Sequence, residues 1–280
     1  MDKKGGSNVK LLAMYHSSVG NTRLVAELLH SRLEMTQEVE LYAIEEIGDS
    51  FPFENYDGYI IGFPTHHAQP SISMIEFIDN MERLQHKKPA YIFTTCGWFS
   101  ADALRIFARI CIDKNIIPVL SQSYRCAATD GVLVAPFIKA LFTYEKKLVN
   151  KIESDTERII TVFDKKPRIN LPHLQLISVL NYPNKKIGEW ITLNIFLHEG
   201  NCTKCGKCIR NCNGKALTVG KDSYPKFDKS HCEKCYRCIH HCPTKALSLS
   251  KRKLPKKQLT REFFDSYKTK IISMIKEKSE

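Results

Sequence analysis

Eight of the eleven cysteines fall into two copies of one spacing. The first run is Cys202, Cys205, Cys208 and Cys212; the second is Cys232, Cys235, Cys238 and Cys242, followed by Pro243. Three thiolates at steps of three residues wrap a tight loop around three corners of a cubane iron-sulfur cluster, and the fourth corner must be reached from elsewhere. Two such runs call for two 4Fe-4S clusters. Zinc is a competing reading, because Cys-x2-Cys pairs also build zinc sites, although those usually take two separated pairs. A disulfide framework is another, and it suits secreted chains. The N-terminal MDKKGGSNVK is polar, however, and no cleavage site of small residues follows the apolar residues 9–15.

The runs are also a sequence repeat. CTKCGKCIRNCNGKALTV from Cys202 reads against CEKCYRCIHHCPTKALSLS from Cys232, including the KAL after each fourth cysteine. Residues 197–250 thus resemble the bacterial two-cluster ferredoxins, small α+β domains. That resemblance implies crossed ligation, with Cys202, Cys205, Cys208 and Cys242 on one cluster and Cys232, Cys235, Cys238 and Cys212 on the other. One departure is Asn213, which follows Cys212 where the family usually has proline; it changes the local turn and the hydrogen bonds that tune the cluster. His231, His240 and His241 neighbour the cysteines without replacing any of them.

A second set of residues suits anion binding. Ser17, Ser18, Val19, Gly20, Asn21 and Thr22 end an apolar run and lead into a helical pattern, so hydroxyls and free amides at a helix N-terminus make a cradle for phosphate. Behind it must stand a strand, and residues 9–15 supply one. Further strands are expected at 39–44, 59–63, 90–95 and 116–119, with helices near 71–81, 101–114 and 145–163. The alternation predicts an α/β fold, a doubly wound parallel sheet with ligand sites at the carboxyl ends of its strands.

At these loops the chain resembles the flavodoxins, through the GNT run, through Gly62-Phe63-Pro64-Thr65, and through Thr95-Cys96-Gly97-Trp98. The resemblance implies FMN, its phosphate on residues 17–22 and its ring between a loop with Pro64, Thr65 and His66 and a loop with Thr95, Cys96, Gly97, Trp98 and Phe99. Val19 stands where a hydroxyl residue is common, so one phosphate hydrogen bond is expected to be missing. Trp98 is the candidate to stack on the ring, the alternative being a tryptophan that closes the sheet end. His66 and His67 could hydrogen-bond the flavin or be exposed loop residues. Cys96, Cys111 and Cys126 belong to neither run and are expected in the core.

The formal net charge is +12, with local density at Lys251, Arg252, Lys253, Lys256 and Lys257. No nucleic-acid motif accompanies these residues, and cubanes with four thiolates each offset part of the charge. A solvated basic surface, or docking to an acidic redox protein, is expected. No apolar run of eighteen residues is present, and the chain reads as cytoplasmic, in a reducing compartment. The expected division is residues 1–165, flavodoxin-like; 166–196, an ordered connector; 197–250, the two-cluster domain; and 251–280, a basic helical tail whose stripe of Phe264, Tyr267, Ile271 and Ile275 docks on the body.

Together the halves resemble the flavodoxin/ferredoxin fusion proteins of anaerobic bacteria and archaea. The resemblance implies electron transfer between FMN and two 4Fe-4S clusters within one chain, as a carrier or small oxidoreductase. No G-x-G-x-x-G follows a strand, so nothing supports direct use of NAD(P)H. A flavin-free redox-sensing module and a basic nucleic-acid-binding protein are the other function classes.

Overall fold

The computed structural model describes residues 9–163, 167–174 and 194–277. Strand β1 (Lys10–Tyr15) has four consecutive buried residues, as a strand covered on both faces must. It is followed by α1 (Asn21–Leu33), β2 (Glu38–Ala43), β3 (Gly58–His66) and the short β4 (Gln69–Pro70). Then come α2 (Ile72–Asn80), β5 (Lys88–Cys96), α3 (Ala103–Asp113), β6 (Ile116–Arg125), α4 (Thr129–Val134) and α5 (Leu148–Phe163). The sheet order is β2-β1-β3-β5-β6 with every neighbour parallel, and β4 folds back antiparallel on β3. This is the flavodoxin-like doubly wound order, whose switch point lies between β1 and β3.

Leu24, Val25, Leu28 and Leu29 of α1 join Ile152 and Ile159 of α5 in the core on one face of the sheet. Met74 and Ile78 of α2 and Leu104, Phe107 and Cys111 of α3 fill the other face. Both β3 and β6 run farther toward their carboxyl ends than their apolar residues alone suggest. Thr94 and Thr95 are buried beside β3, with Thr94 Oγ1 bonding Phe63 O and Thr65 Oγ1 at 2.9 and 2.7 Å. Backbone pairing continues there because hydroxyls satisfy one another between strands. Of the expected connector, residues 167–174 lie along this half. Asn170 N donates to Pro118 O at 2.8 Å, Arg105 Nη1 donates to Pro172 O at 2.9 Å, and Leu171 packs on the α2–α3 core. Residues 175–193 of the expected connector are outside the described residues.

The cysteine-rich half is a pseudo-repeat of two hairpin-like pieces. It contains β7 (Phe196–Leu197), α6 (Lys207–Arg210), β8 (Leu217–Val219), β9 (Pro225–Phe227), α7 (Arg237–His240) and β10 (Leu247–Ser248), with β8 on β9 and β7 on β10, both antiparallel. The repeat extends to the backbone. Positive φ recurs at Lys204 and Lys234, Gly206 and Tyr236, and Lys215 and Lys245. The duplicated KAL also acquires a reason: Lys turns the chain, the N–H of Ala216 or Ala246 donates to Cys212 or Cys242 Sγ at 3.2 Å, and Leu217 or Leu247 is buried. Such N–H···S bonds stabilise negative charge on a ligand sulfur.

The last helix, α8 (Arg261–Glu277), docks on the flavodoxin-like half as its stripe suggests. Phe264 and Ile271 are buried, Tyr267 packs on Tyr144 with ring centroids 4.3 Å apart and the rings tilted by 43°, and Lys268 Nζ pairs with Glu27 at 2.6 Å.

Candidate functional site

Four cysteines line each of two cavities. Cys202, Cys205, Cys208 and Cys242 surround one, and Cys212, Cys232, Cys235 and Cys238 surround the other. Each set takes three thiols from one run and the fourth from the other run. The sulfurs ring a space rather than a point, and among the described residues no three metal-binding side chains are grouped to hold a lone ion. The two cavities differ in burial. Burial pushes the Cys235 thiol up to about 12, while Cys205, at the equivalent position of the first run, is exposed and lowered by the backbone amide of Lys207.

The buried cavity faces the flavodoxin-like half, whose His16 and Ser18 also line it. Hydrogen bonds hold this face together. Glu233 accepts from the N–H of Ser73 at 3.1 Å and from its hydroxyl, and His240 Nε2 meets Thr129 O at 2.8 Å. Asn213 Nδ2 donates to Glu45 Oε1 at 2.6 Å, while Asn213 Oδ1 accepts from Arg237 Nη1 at 3.0 Å. His16 Nδ1 pairs with the same Glu45 oxygen at 3.0 Å. Burial pushes the Glu45 carboxyl up, but the bonds from His16 and Asn213 outweigh it and hold it below its ordinary range. The residue that replaces the usual proline is thus an interdomain tie.

A third cavity opens at the carboxyl ends of β1, β3 and β5. Asn21, Pro64, Thr65, His66, His67, Thr95, Cys96 and Gly97 line one side, and Lys234 and Tyr236 reach it from the cysteine-rich half. Its floor is fixed by a hydroxyl pair, Thr22 Oγ1 to Thr95 Oγ1 at 2.8 Å. Ser18 Oγ lies 2.9 Å from His66 Nε2 and 3.4 Å from His16 Nε2, so a chain of polar groups runs from Glu45 to the cavity wall. Burial, then repulsion from His16 and His67, lowers His66 to about 3, so its imidazole is neutral.

A model described as a flavodoxin domain matches residues 12–119, and one described as a 4Fe-4S dicluster domain matches residues 201–246. The chain is a flavodoxin/ferredoxin fusion. Among solved structures, the fusion is similar to oxidised flavodoxin 1 from Bacillus cereus, at 18% identity over 55% of this chain and 98% of that one, TM-score 0.42. A flavodoxin from the domain Archaea matches at 16% identity over 56% and 99%, TM-score 0.40. Rubredoxin oxygen:oxidoreductase from the anaerobe Desulfovibrio gigas matches at 16% over 55% and 36%, TM-score 0.39. No curated protein matches the chain.

The fusion protein's cofactors are FMN and two 4Fe-4S clusters, and its role is electron transfer. Its residues fit both groups. The N-terminus of α1 has no side-chain cap and no acidic residue in its first turn, and Ser17 Oγ beside it is buried without a hydrogen-bond partner. Such unsatisfied donors suit a phosphate. Val19 turns away from that role: its side chain packs with Leu259 and Phe264 of the tail and with Ala127, Ala128 and Val132. Trp98 is 70% exposed and Phe99 40% exposed, and neither lines the cavity in which Trp98 was expected to stack. Cys96, Cys111 and Cys126 are buried, Cys96 at the cavity wall with its thiol pushed up to about 12 by burial.

Sequence reasoning missed Tyr236. The available signal was the mismatch inside the repeat, where Gly206 of the first run faces Tyr236 of the second.

Proposed function

We propose that this chain passes electrons between FMN in the cavity above β1, β3 and β5 and a surface redox partner, by way of the two clusters. The flavin exchanges one or two electrons and each cluster exchanges one, which is the chemistry the bound groups supply. Ser17, Gly20, Asn21 and Thr22 would hold the phosphate at the α1 N-terminus, and Pro64–His66 with Thr95–Gly97 the ring. Cys212, Cys232, Cys235 and Cys238 would hold the inner cluster, and Cys202, Cys205, Cys208 and Cys242 the outer one. One observation carries the reading: Lys234 and Tyr236 line the flavin cavity, and Tyr236 with the neighbouring Cys235 also lines the inner cysteine cavity. The inner site therefore abuts the flavin site, while exposed Cys205 marks the outer one as the docking face.

Thr203, Lys204, Lys207 and Arg210 are exposed around Cys205, so the partner is read as an acidic redox protein, met in the cytoplasm, where cysteines outside disulfides are stable. We retain the division into residues 1–165, 166–196, 197–250 and 251–280, with the tail as part of the flavin half's packing. The test is the cofactor content of protein purified without oxygen. About eight iron, about eight acid-labile sulfide and one FMN per chain are expected; tightly bound zinc with little sulfide would overturn the cluster assignment, and absence of flavin bands even with added FMN would overturn the flavin half.

A further inference from the structure

The two cysteine runs repeat in spacing and in their positive-φ positions, and one of the positions at which they differ lies at the flavin cavity. The first run reads Cys205-Gly206-Lys207-Cys208 and the second Cys235-Tyr236-Arg237-Cys238. Both residues sit in the left-handed region, Gly206 at φ 67° and ψ 2°, Tyr236 at φ 57° and ψ 14°. Glycine occupies that region freely, whereas a bulky residue there is strained and persists only where its surroundings demand it. The half-domain therefore keeps an aromatic residue at a place its own twin fills with glycine.

The surroundings of Tyr236 show what it serves. It is 2% exposed and packs with Ile239, Leu247 and Leu133, the last from α4 of the flavodoxin-like half. It lines the flavin cavity and also the cavity of Cys212, Cys232, Cys235 and Cys238. Among the described residues lining the flavin cavity it is the one Phe, Tyr or Trp, since Trp98 stays outside. In the first run, Gly206 lines the outer cysteine cavity and is not among the residues at the flavin cavity.

We propose that Tyr236 is a flavin-contacting residue supplied by the ferredoxin half, and that its ring is the shared wall between the flavin and the inner cluster. This rests on the placement of FMN and of the inner cluster given above. A planar ring at that wall contributes stacking to flavin binding, in place of the aromatic expected from the flavodoxin half's own loop. It also excludes water from the space between the two groups.

The full-length protein is purified without oxygen as wild type, Tyr236→Phe and Tyr236→Leu, stripped of flavin and titrated with FMN by fluorescence quenching, with iron and sulfide measured on each sample. Leucine keeps apolar bulk while removing the π face; phenylalanine keeps the face. Tyr236→Leu is expected to bind FMN about tenfold or more weaker with iron and sulfide at wild-type level, and Tyr236→Phe within about twofold of wild type. Rapid photoreduction of the flavin by a sacrificial tertiary amine, whose electrons pass on to the clusters, is expected to bleach the cluster band several-fold more slowly in Tyr236→Leu. Wild-type affinity and bleaching rate in Tyr236→Leu overturn the inference and leave the flavin site standing. Joint loss of clusters and flavin in Tyr236→Leu also overturns it, by assigning Tyr236 to packing. Failure of the wild type to bind FMN overturns the flavin placement itself.

Discussion

The ring of Phe264 rests directly on Gly20: a methyl group on Gly20 would lie 2.6 Å from Phe264 Cδ2 and 2.7 Å from Cε2. Gly20 has φ 145°, which side chains rarely adopt, so a substitution there meets both a ring and backbone strain of about 1–2 kcal/mol. The tail helix is thus seated on the loop assigned to the phosphate. Gly20→Ala should lower FMN affinity at least tenfold while both clusters stay in place. Adding Phe264→Ala removes the ring but not the strain, so the double variant should recover part of that loss. Equal FMN affinities in the single and double variants would show that the tail does not constrain the loop.

Asn213 joins the halves through Glu45 and Arg237. A hydrogen bond to a charged group contributes about 1.5–3 kcal/mol when shielded, and less here because Glu45 is 40% exposed. Asn213→Ala should therefore destabilise the protein by about 1 kcal/mol and raise amide exchange near residues 44–46. Asn213→Pro, which restores the residue usual in the ferredoxins, should do the same. Unchanged exchange in both would remove the tie.

The parts of this molecule visible in its sequence are those whose cause is local. Residues 9–15 read as a buried strand because apolar side chains are needed on both faces, and the cysteine spacing reads as two clusters because a loop must wrap a cube. Trp98 illustrates the opposite case. Its position after Thr95-Cys96-Gly97 suits stacking, but the residue that lines the cavity is Tyr236, from the other half of the chain, and nothing local to Trp98 announces that. Val19 is similar: it reads as a lost hydroxyl until Phe264 and Leu259 are placed beside it. The ends of β3 and β6 were shorter in pattern than in structure because hydroxyl pairs such as Thr65 with Thr94 carry the pairing where apolar residues stop.

Cys212 belongs in sequence to the first run and in space to the second cavity. Cys212→Ala should accordingly lower iron from about eight to about four per chain, with loss of the paramagnetic signal from the cluster on Cys232, Cys235 and Cys238. Selective loss of the Cys202, Cys205 and Cys208 signal would contradict the crossed arrangement.

Burial raises the thiols of Cys96, Cys111 and Cys126, and the thiolate is the reactive form. Iodoacetamide at pH 8 should leave all three unlabelled in the native holoprotein and label them after denaturation, as read by peptide mass spectrometry. Rapid native labelling of Cys96 would mean that the flavin cavity admits solvent to the sheet end.

His66 couples the flavin cavity to acid. Its folded value of about 3 lies below its ordinary 6.5, the main cause being burial and the next its neighbours His16 and His67. The folded state therefore holds it neutral while the unfolded chain takes up a proton once pH falls below 6.5. The stability it contributes is complete above that pH and is lost progressively down to about 3, at a limit of about 1.4 kcal/mol per pH unit. Partial solvent access at His66 keeps the measured slope below that limit. His66→Gln keeps a polar partner for Ser18 and cannot titrate. Denaturant midpoints measured on matched holoproteins from pH 7 to 5 should fall more steeply in wild type than in His66→Gln, by up to one proton per chain. Parallel slopes would mean that the imidazole is as free to protonate in the folded protein as in water, and that burial does not hold it neutral.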